Sequence, residues 1–158
     1  MADGLCRLAQ EDLRICAITA AMKSGTCLTK FAERFPVRFF DVGIAEEHAV
    51  TFASGLATGG MLPVFAVYST FLQRCYDQIL NDTSIMNNHI VLAVDRAGIV
   101  PDDGETHQGV FDVPFLTTIP HVTIYSPSTF AELDISLKQA LYDAAGIAVV
   151  RYPKGGEL

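Results

Sequence analysis

Short runs rich in Val, Ile, Phe and Ala recur along the chain at 14–19, 38–42, 63–68, 90–95, 122–125 and 147–151. They are continuous in apolar residues instead of alternating with polar ones, as a strand covered on both faces should be. Between them, helical periodicity predicts helices over 4–10, 24–34, 45–58, 69–81 and 129–143. The fold class expected is therefore α/β, an open parallel sheet with helices on both faces. The stretch 96–109 fits neither period. Pro101-Asp102-Asp103-Gly104 is turn chemistry, and the stretch is too long for a plain connector. It follows the run ending at Asp95, and in such sheets ligands bind at the carboxyl ends of the strands, so it is an expected wall of the site.

Composition narrows the function classes. The chain has 158 residues, about one domain, and half of them are apolar. Mean hydropathy is positive, yet no apolar run approaches the ~20 residues of a membrane helix. Faces buried against other domains or subunits account for the surplus better than a membrane does. A formal net charge of −7 disfavours non-specific binding to nucleic acid or an anionic membrane, while local cations leave a phosphorylated substrate open. Four cysteines, Cys6, Cys16, Cys27 and Cys75, stand singly; reduced, mostly buried thiols in a cytoplasmic protein are expected. His48, His89, His107 and His121 have no i, i+4 pairing and no cysteine neighbours, so no metal site is expected. The chain also lacks the dinucleotide and Walker glycine loops and a Gly-x-Ser-x-Gly elbow.

Three places carry candidate chemistry. In Asp41-Val-Gly-Ile-Ala-Glu-Glu-His-Ala-Val50 a strand gives way to a helix. Glu46 shares a helical face with Ala49, Val50 and Ala53, whereas Glu47 lies with Val50, Thr51 and Ser54. Glu46 is therefore the glutamate directed into packed surroundings, where a carboxylate has to be paired or protonated. The helix N-terminus favours the anion, and a group held between those tendencies suits proton exchange with a ligand nitrogen. On periodicity alone the weightier reading is a glutamate that only satisfies backbone N–H groups at the helix start. The small residues that follow, Ala49, Ala53, Ser54, Gly55 and Ala57, suggest an interface helix, with Gly59-Gly60 as its C-cap. Ser69 is the expected N-cap of the next helix, with Leu72, Tyr76, Ile79 and Leu80 as its core stripe. Phe71 and Arg74 share another face, which suits stacking on a heterocycle and holding a phosphate, or simply an arginine folded over a ring. The loop gathers Arg96, Asp103, His107 and Gln108, and the 151–154 segment ends a strand with two cations.

Asp41-Val-Gly-Ile-Ala-Glu-Glu-His-Ala-Val-Thr-Phe-Ala-Ser-Gly-Leu-Ala57, Tyr68-Ser-Thr-Phe-Leu-Gln-Arg-Cys-Tyr-Asp-Gln78, Asp95-Arg-Ala-Gly-Ile99, Gly104-Glu-Thr-His-Gln-Gly109 and Arg151-Tyr-Pro-Lys-Gly155 together resemble the transketolase-like pyrimidine-binding domain of the 1-deoxy-D-xylulose-5-phosphate synthase family. The likeness runs in order over nearly the whole chain. It implies a single pyrimidine-binding domain over 1–158, with thiamine diphosphate as cofactor and pyruvate and glyceraldehyde 3-phosphate as substrates. It implies that Glu46 binds N1′ of the aminopyrimidine, that Phe71 stacks on that ring and that Ile44 lies nearby. Tyr68, Arg74, Asp103, His107 and Lys154 match positions on the acceptor-substrate side, with the cations near its phosphate and His107 also among the catalytic groups. Magnesium and the diphosphate are implied to sit on a diphosphate-binding domain that, like a C-terminal domain, is expected to be absent from this chain; no Gly-Asp-Gly…Asn motif is found. The full enzyme is implied to be a homodimer and the chain alone inactive. Two departures stand out: Glu47 where the family commonly has Gln, and Lys154 where Arg is usual. A split transketolase, a 2-oxoacid dehydrogenase subunit and a non-catalytic binding module remain as alternatives, with Tyr68 through Arg74 arguing against the first two.

Overall fold

The strands β1 (Ile15–Thr19), β2 (Phe39–Asp41), β3 (Leu62–Tyr68), β4 (Ile90–Asp95), β5 (Val122–Tyr125) and β6 (Ile147–Arg151) form one sheet in the order β2-β1-β3-β4-β6-β5. Every pairing is parallel. The computed structural model describes residues 1–155. β1, β3, β4 and β6 are almost wholly buried, while the edge strands β2 and β5 are partly exposed. Continuous apolar runs thus belong to strands with a layer on each side. Alternate strand residues feed two cores. Ala17, Val64, Ala66, Val91, Ala93 and Val150 face one, which is covered by α1 (Ala2–Glu11), α2 (Thr29–Arg34) and α7 (Phe130–Tyr142). Ile18, Phe65, Val67, Leu92, Val94 and Val149 face the other, covered by α3 (Glu46–Thr58), the 69–84 segment and α6 (Asp112–Leu116).

Two expected helices take other forms. Over 24–34, only α2 is helical. Cys27 sits at φ 61, and an added Cβ on Gly25 would lie 1.9 Å from the Tyr68 hydroxyl, so the 22–28 segment turns tightly onto β3 instead of coiling. Over 69–81, the chain passes through α4 (Ser69–Leu72), a 3-10 turn at Gln73–Cys75, α5 (Tyr76–Gln78) and a π-helix at Ile79–Ser84. The 3-10 turn moves the core position after Leu72 to Cys75. Tyr76 is therefore 38% exposed, against the stripe expected for it, and its hydroxyl meets Thr118 Oγ1 at 2.9 Å. Ser69 is not the N-cap: Tyr68 occupies that position, and the Ser69 hydroxyl is buried without a hydrogen-bond partner among the described residues. Helix α6, too short to leave a period, was not expected.

α3 ends in a Schellman motif, with Met61 N–H donating to Leu56 O at 3.0 Å and Gly60 N–H to Ala57 O at 2.9 Å, Gly60 at φ +84. At Ala49, Ala53 and Ser54 the close approach permitted by small residues is made inside the molecule, whereas Gly55 is exposed with open space beside it. Ala49 and Ala53 are fully buried in the core, and the Ser54 hydroxyl donates to Asp82 O at 2.5 Å and accepts from Asn88 Nδ2 at 2.8 Å.

Candidate active site

The carboxyl ends of β2, β3, β4 and β6 share one rim, and each is followed within a few residues by a candidate side chain. β2 leads through 42–45 to Glu46, the first residue of α3. Glu46 is 2% exposed and Glu47 is exposed, as the helical period requires. One carboxylate oxygen, Oε1, accepts a hydrogen bond from Arg74 Nη1 at 2.8 Å. Among the described residues Oε2 accepts none. The carboxylate is thus paired on one side and free on the other.

Arg74 is half-exposed, and its guanidinium also lies 5.1 Å above the Phe71 ring. It was expected on the phosphate side; here Glu46 engages it. Phe71 stands between two other rings. Tyr68 stacks on it at 5.9 Å, and His107 meets it in a T-shaped pair at 5.5 Å. His107 Nδ1 is 2.7 Å from Thr106 Oγ1. Tyr68, Thr70, Phe71, Arg96, Asp103 and His107 line a cavity of about 270 Å³. The structure therefore brings Tyr68, Asp103 and His107, candidates for the acceptor side, together with Phe71, a candidate for the cofactor side. Ile44 stands apart on the rim, 81% exposed.

Arg96, which its sequence position places only within the loop, stands at the centre of this cluster. Its guanidinium lies 4.0 Å over the Tyr68 ring, donates to the Tyr68 hydroxyl at 3.0 Å and pairs with Asp103. That guanidinium holds the Asp103 carboxyl below the usual carboxylate range. Lys154 pairs with Asp102 at 3.2 Å and reaches Asp103 at 3.9 Å. Arg96 and Lys154 also border a second cavity of about 340 Å³ beside the 22–28 turn. Arg151, the other cation of its segment, is committed to buried Asp112 at 2.8 Å. The signal for Arg96 was present in Asp95-Arg-Ala-Gly98, a cation directly after a strand that ends at the rim.

The loop is tied by its own groups. Gly98 and Gly109 form an antiparallel bridge, with N–H to O distances of 2.6 and 2.8 Å. The Gln108 amide closes the interior through Val100 N–H at 2.7 Å, Val100 O at 3.0 Å and Gly104 O at 2.5 Å. The other histidines stand outside this rim. His89 lies between Gly146 O and Leu141 O, and His48 stacks on Phe52. Among the described residues, no three His, Cys, Asp or Glu side chains gather into a metal-sized group.

The family model described as transketolase, pyrimidine binding domain, matches residues 1–156. The chain belongs to that family. Two curated relatives are named 1-deoxy-D-xylulose-5-phosphate synthase. The one from Clostridium kluyveri is 59% identical over 155 residues, 98% of this chain and 25% of the relative. The one from Symbiobacterium thermophilum is 59% identical over 151 residues, 96% of this chain and 23% of the relative. The chain thus spans about a quarter of the length of the curated relatives it matches. Among solved structures, a split gene transketolase described as an inactive beta4 tetramer superposes with a TM-score of 0.85 at 28% identity, covering 98% of this chain and 50% of that one. A transketolase from Leishmania mexicana superposes with a TM-score of 0.83 at 20% identity, over 93% of this chain and 23% of its own, and shows the shared fold of the pyrimidine-binding domain. No helix among the described residues is long and apolar enough to cross a membrane.

Proposed function

We propose that this pyrimidine-binding domain holds the aminopyrimidine of thiamine diphosphate in an enzyme that joins pyruvate to glyceraldehyde 3-phosphate, giving 1-deoxy-D-xylulose 5-phosphate and carbon dioxide. The observation that carries the reading is Glu46, a buried carboxylate at a helix start on the carboxyl rim, with one oxygen unpaired and the Phe71–Arg74 pair beside it. An acid with a free oxygen next to a cavity-lining aromatic ring fits an aminopyrimidine: the acid exchanges a proton at N1′ and the ring supplies a stacking face. The relatives at 59% identity support the substrate pair.

When bound, thiamine diphosphate supplies the nucleophilic carbon for the 2-oxo acid, and this chain orients and protonates. Glu46 Oε2 holds N1′ while Arg74 fixes Oε1. Phe71 would supply a stacking surface for that ring, and Ile44, exposed on the same rim, an apolar contact. On the acceptor side, Arg96 and Lys154 hold the phosphate, with Asp103 and Tyr68 setting their positions. Arg74, at the border of both regions, adds a third cation. His107 moves a proton at the acceptor carbonyl oxygen through Nε2, which has no hydrogen bond among the described residues. Magnesium and the diphosphate belong to a separate domain, the assembled enzyme is a homodimer, and the enzyme works in the cytoplasm. Residues 1–158 alone are then inactive.

A chimera tests this: the matching segment of the Clostridium kluyveri synthase is replaced by the present sequence, and product formation from the two substrates is measured. Turnover is expected. A folded, cofactor-loaded chimera without it, or one that accepts only ketose donors, refutes the reading.

A further inference from the structure

The ladder between β4 and β6 contains one residue too many at its carboxyl end. In a regular parallel pair, Tyr152 would bond Val94 O and Arg96 N–H, two residues apart. Here Tyr152 N–H donates to Val94 O at 3.0 Å, but Tyr152 O accepts from Ala97 N–H at 3.0 Å. Arg96 is therefore the extra residue of a β-bulge, and its φ is +57, a left-handed conformation in a non-glycine residue. The bulge takes the Arg96 N–H out of the ladder. Asp95 restores it a partner, with Oδ1 accepting from Arg96 N at 2.7 Å. On the other side of the kink there is no slack, because a Cβ on Gly109 would meet Arg96 O at 2.0 Å.

We propose that Asp95 is a positioning residue for the acceptor side of the site: its carboxylate caps the bulge, holds the Arg96 main chain in the left-handed region and so aims the guanidinium across Tyr68 onto Asp103. The inference rests on the functional reading above in assigning an acceptor to that cavity. A regular strand end would point the residue after Asp95 elsewhere, since one inserted residue changes the face to which a side chain is directed. The role requires only an acceptor atom. Burial raises the Asp95 carboxyl above the usual range, so an amide oxygen meets the requirement with less desolvation.

The experiment uses the chimeric synthase with Asp95→Ala, Asp95→Leu and Asp95→Asn. Asp95→Ala is expected to raise KM for glyceraldehyde 3-phosphate about tenfold, as misplaced positioning groups do, with KM for pyruvate unchanged. Asp95→Leu fills the same space without an acceptor, so it gives the same result should the alanine variant fail to fold. Asp95→Asn is expected to restore the acceptor KM. Hydrogen exchange of the Arg96 amide is read independently of turnover: protection is lost in the alanine and leucine variants and kept in the asparagine variant. Equal damage by Asn and Ala, an unchanged acceptor KM, or a matching rise in both substrates' KM overturns the proposal. If the unsubstituted chimera makes no product, the functional reading fails and the exchange pattern still decides the role of Asp95.

Discussion

Glu46 and Arg96 are opposite charges on the same rim, and the chain reaches them by opposite means. Glu46 is placed by a regular helix: once Ala49, Val50 and Ala53 are packed against the sheet, the period leaves it no other direction. Arg96 is placed by irregular backbone held through a bulge, a two-glycine bridge and the Gln108 amide. Packing is non-directional and tolerant of small shifts, whereas a tied loop depends on individual hydrogen bonds, each of net value about 1 kcal/mol. The helix side should therefore lose chemistry without losing the fold. The loop side should lose geometry first.

The largest test of that contrast is Glu46→Ala in the chimeric synthase. It is expected to lower kcat at least ~10²-fold by removing a positioned acid–base group. A near-normal kcat with Glu46→Ala would show that the helix start is only structural. On the loop side, Gly109→Ala forces a Cβ onto the Arg96 carbonyl oxygen and is expected to cost about 1–3 kcal/mol, as overpacking does. Its denaturation midpoint should fall, and an unshifted midpoint would mean that the bridge is loose. Arg74→Ala leaves the Glu46 carboxylate buried without its partner. The expected loss is about 1–2 kcal/mol, below that of a fully buried pair because Arg74 is half-exposed.

Asp95→Asn sharpens the comparison through pH. The Asp95 carboxyl is raised in the fold by burial, so its ionisation weakens the folded state as pH rises through the folded value. The asparagine variant should therefore gain stability over the parent at neutral pH, with the gain disappearing below the usual carboxylate range, as read by melting temperature against pH. A gain independent of pH would mean that burial of the charge is not its cause. The smallest effect belongs to Glu47→Gln. Glu47 is exposed, so stability should change by no more than about 0.5 kcal/mol and kcat should hold. A collapse of turnover there, with Glu46→Ala harmless, would exchange the roles of the two glutamates.

What was legible in the sequence followed from period. The runs at 90–95 and 147–151 match β4 and β6 end to end, because two-sided burial leaves an unbroken apolar signal, and 122–125 matches the partly exposed edge strand β5 through its β-branched and aromatic residues. Glu46 could be told from Glu47 by the helical period. The 69–84 segment was opaque because its winding changes three times, and each change shifts the core-facing position, as at Cys75 and Tyr76. The Arg74–Glu46 pair joins residues far apart in sequence, and no spacing announces it. Asp95-Arg96 was visible as a motif, but the bulge depends on how Tyr152 pairs across the sheet, a relation that exists only after β6 is in place.

Because the strands all run the same way, the candidate chemistry occupies a single end of the molecule. The turns that precede β1, β3, β4 and β6 lie at the opposite end, where none of the candidate residues stands and where the left-handed Gly60 and Gly146 reverse the chain. Leu13, in the first of these turns, is 76% exposed. An engineer therefore has a blank end on which to attach a fluorophore, a surface tether or an affinity handle. With the exposed Cys27 replaced by serine, a group attached through a cysteine at position 13 would stand at the far end of the strands from the residues assigned to cofactor or substrate.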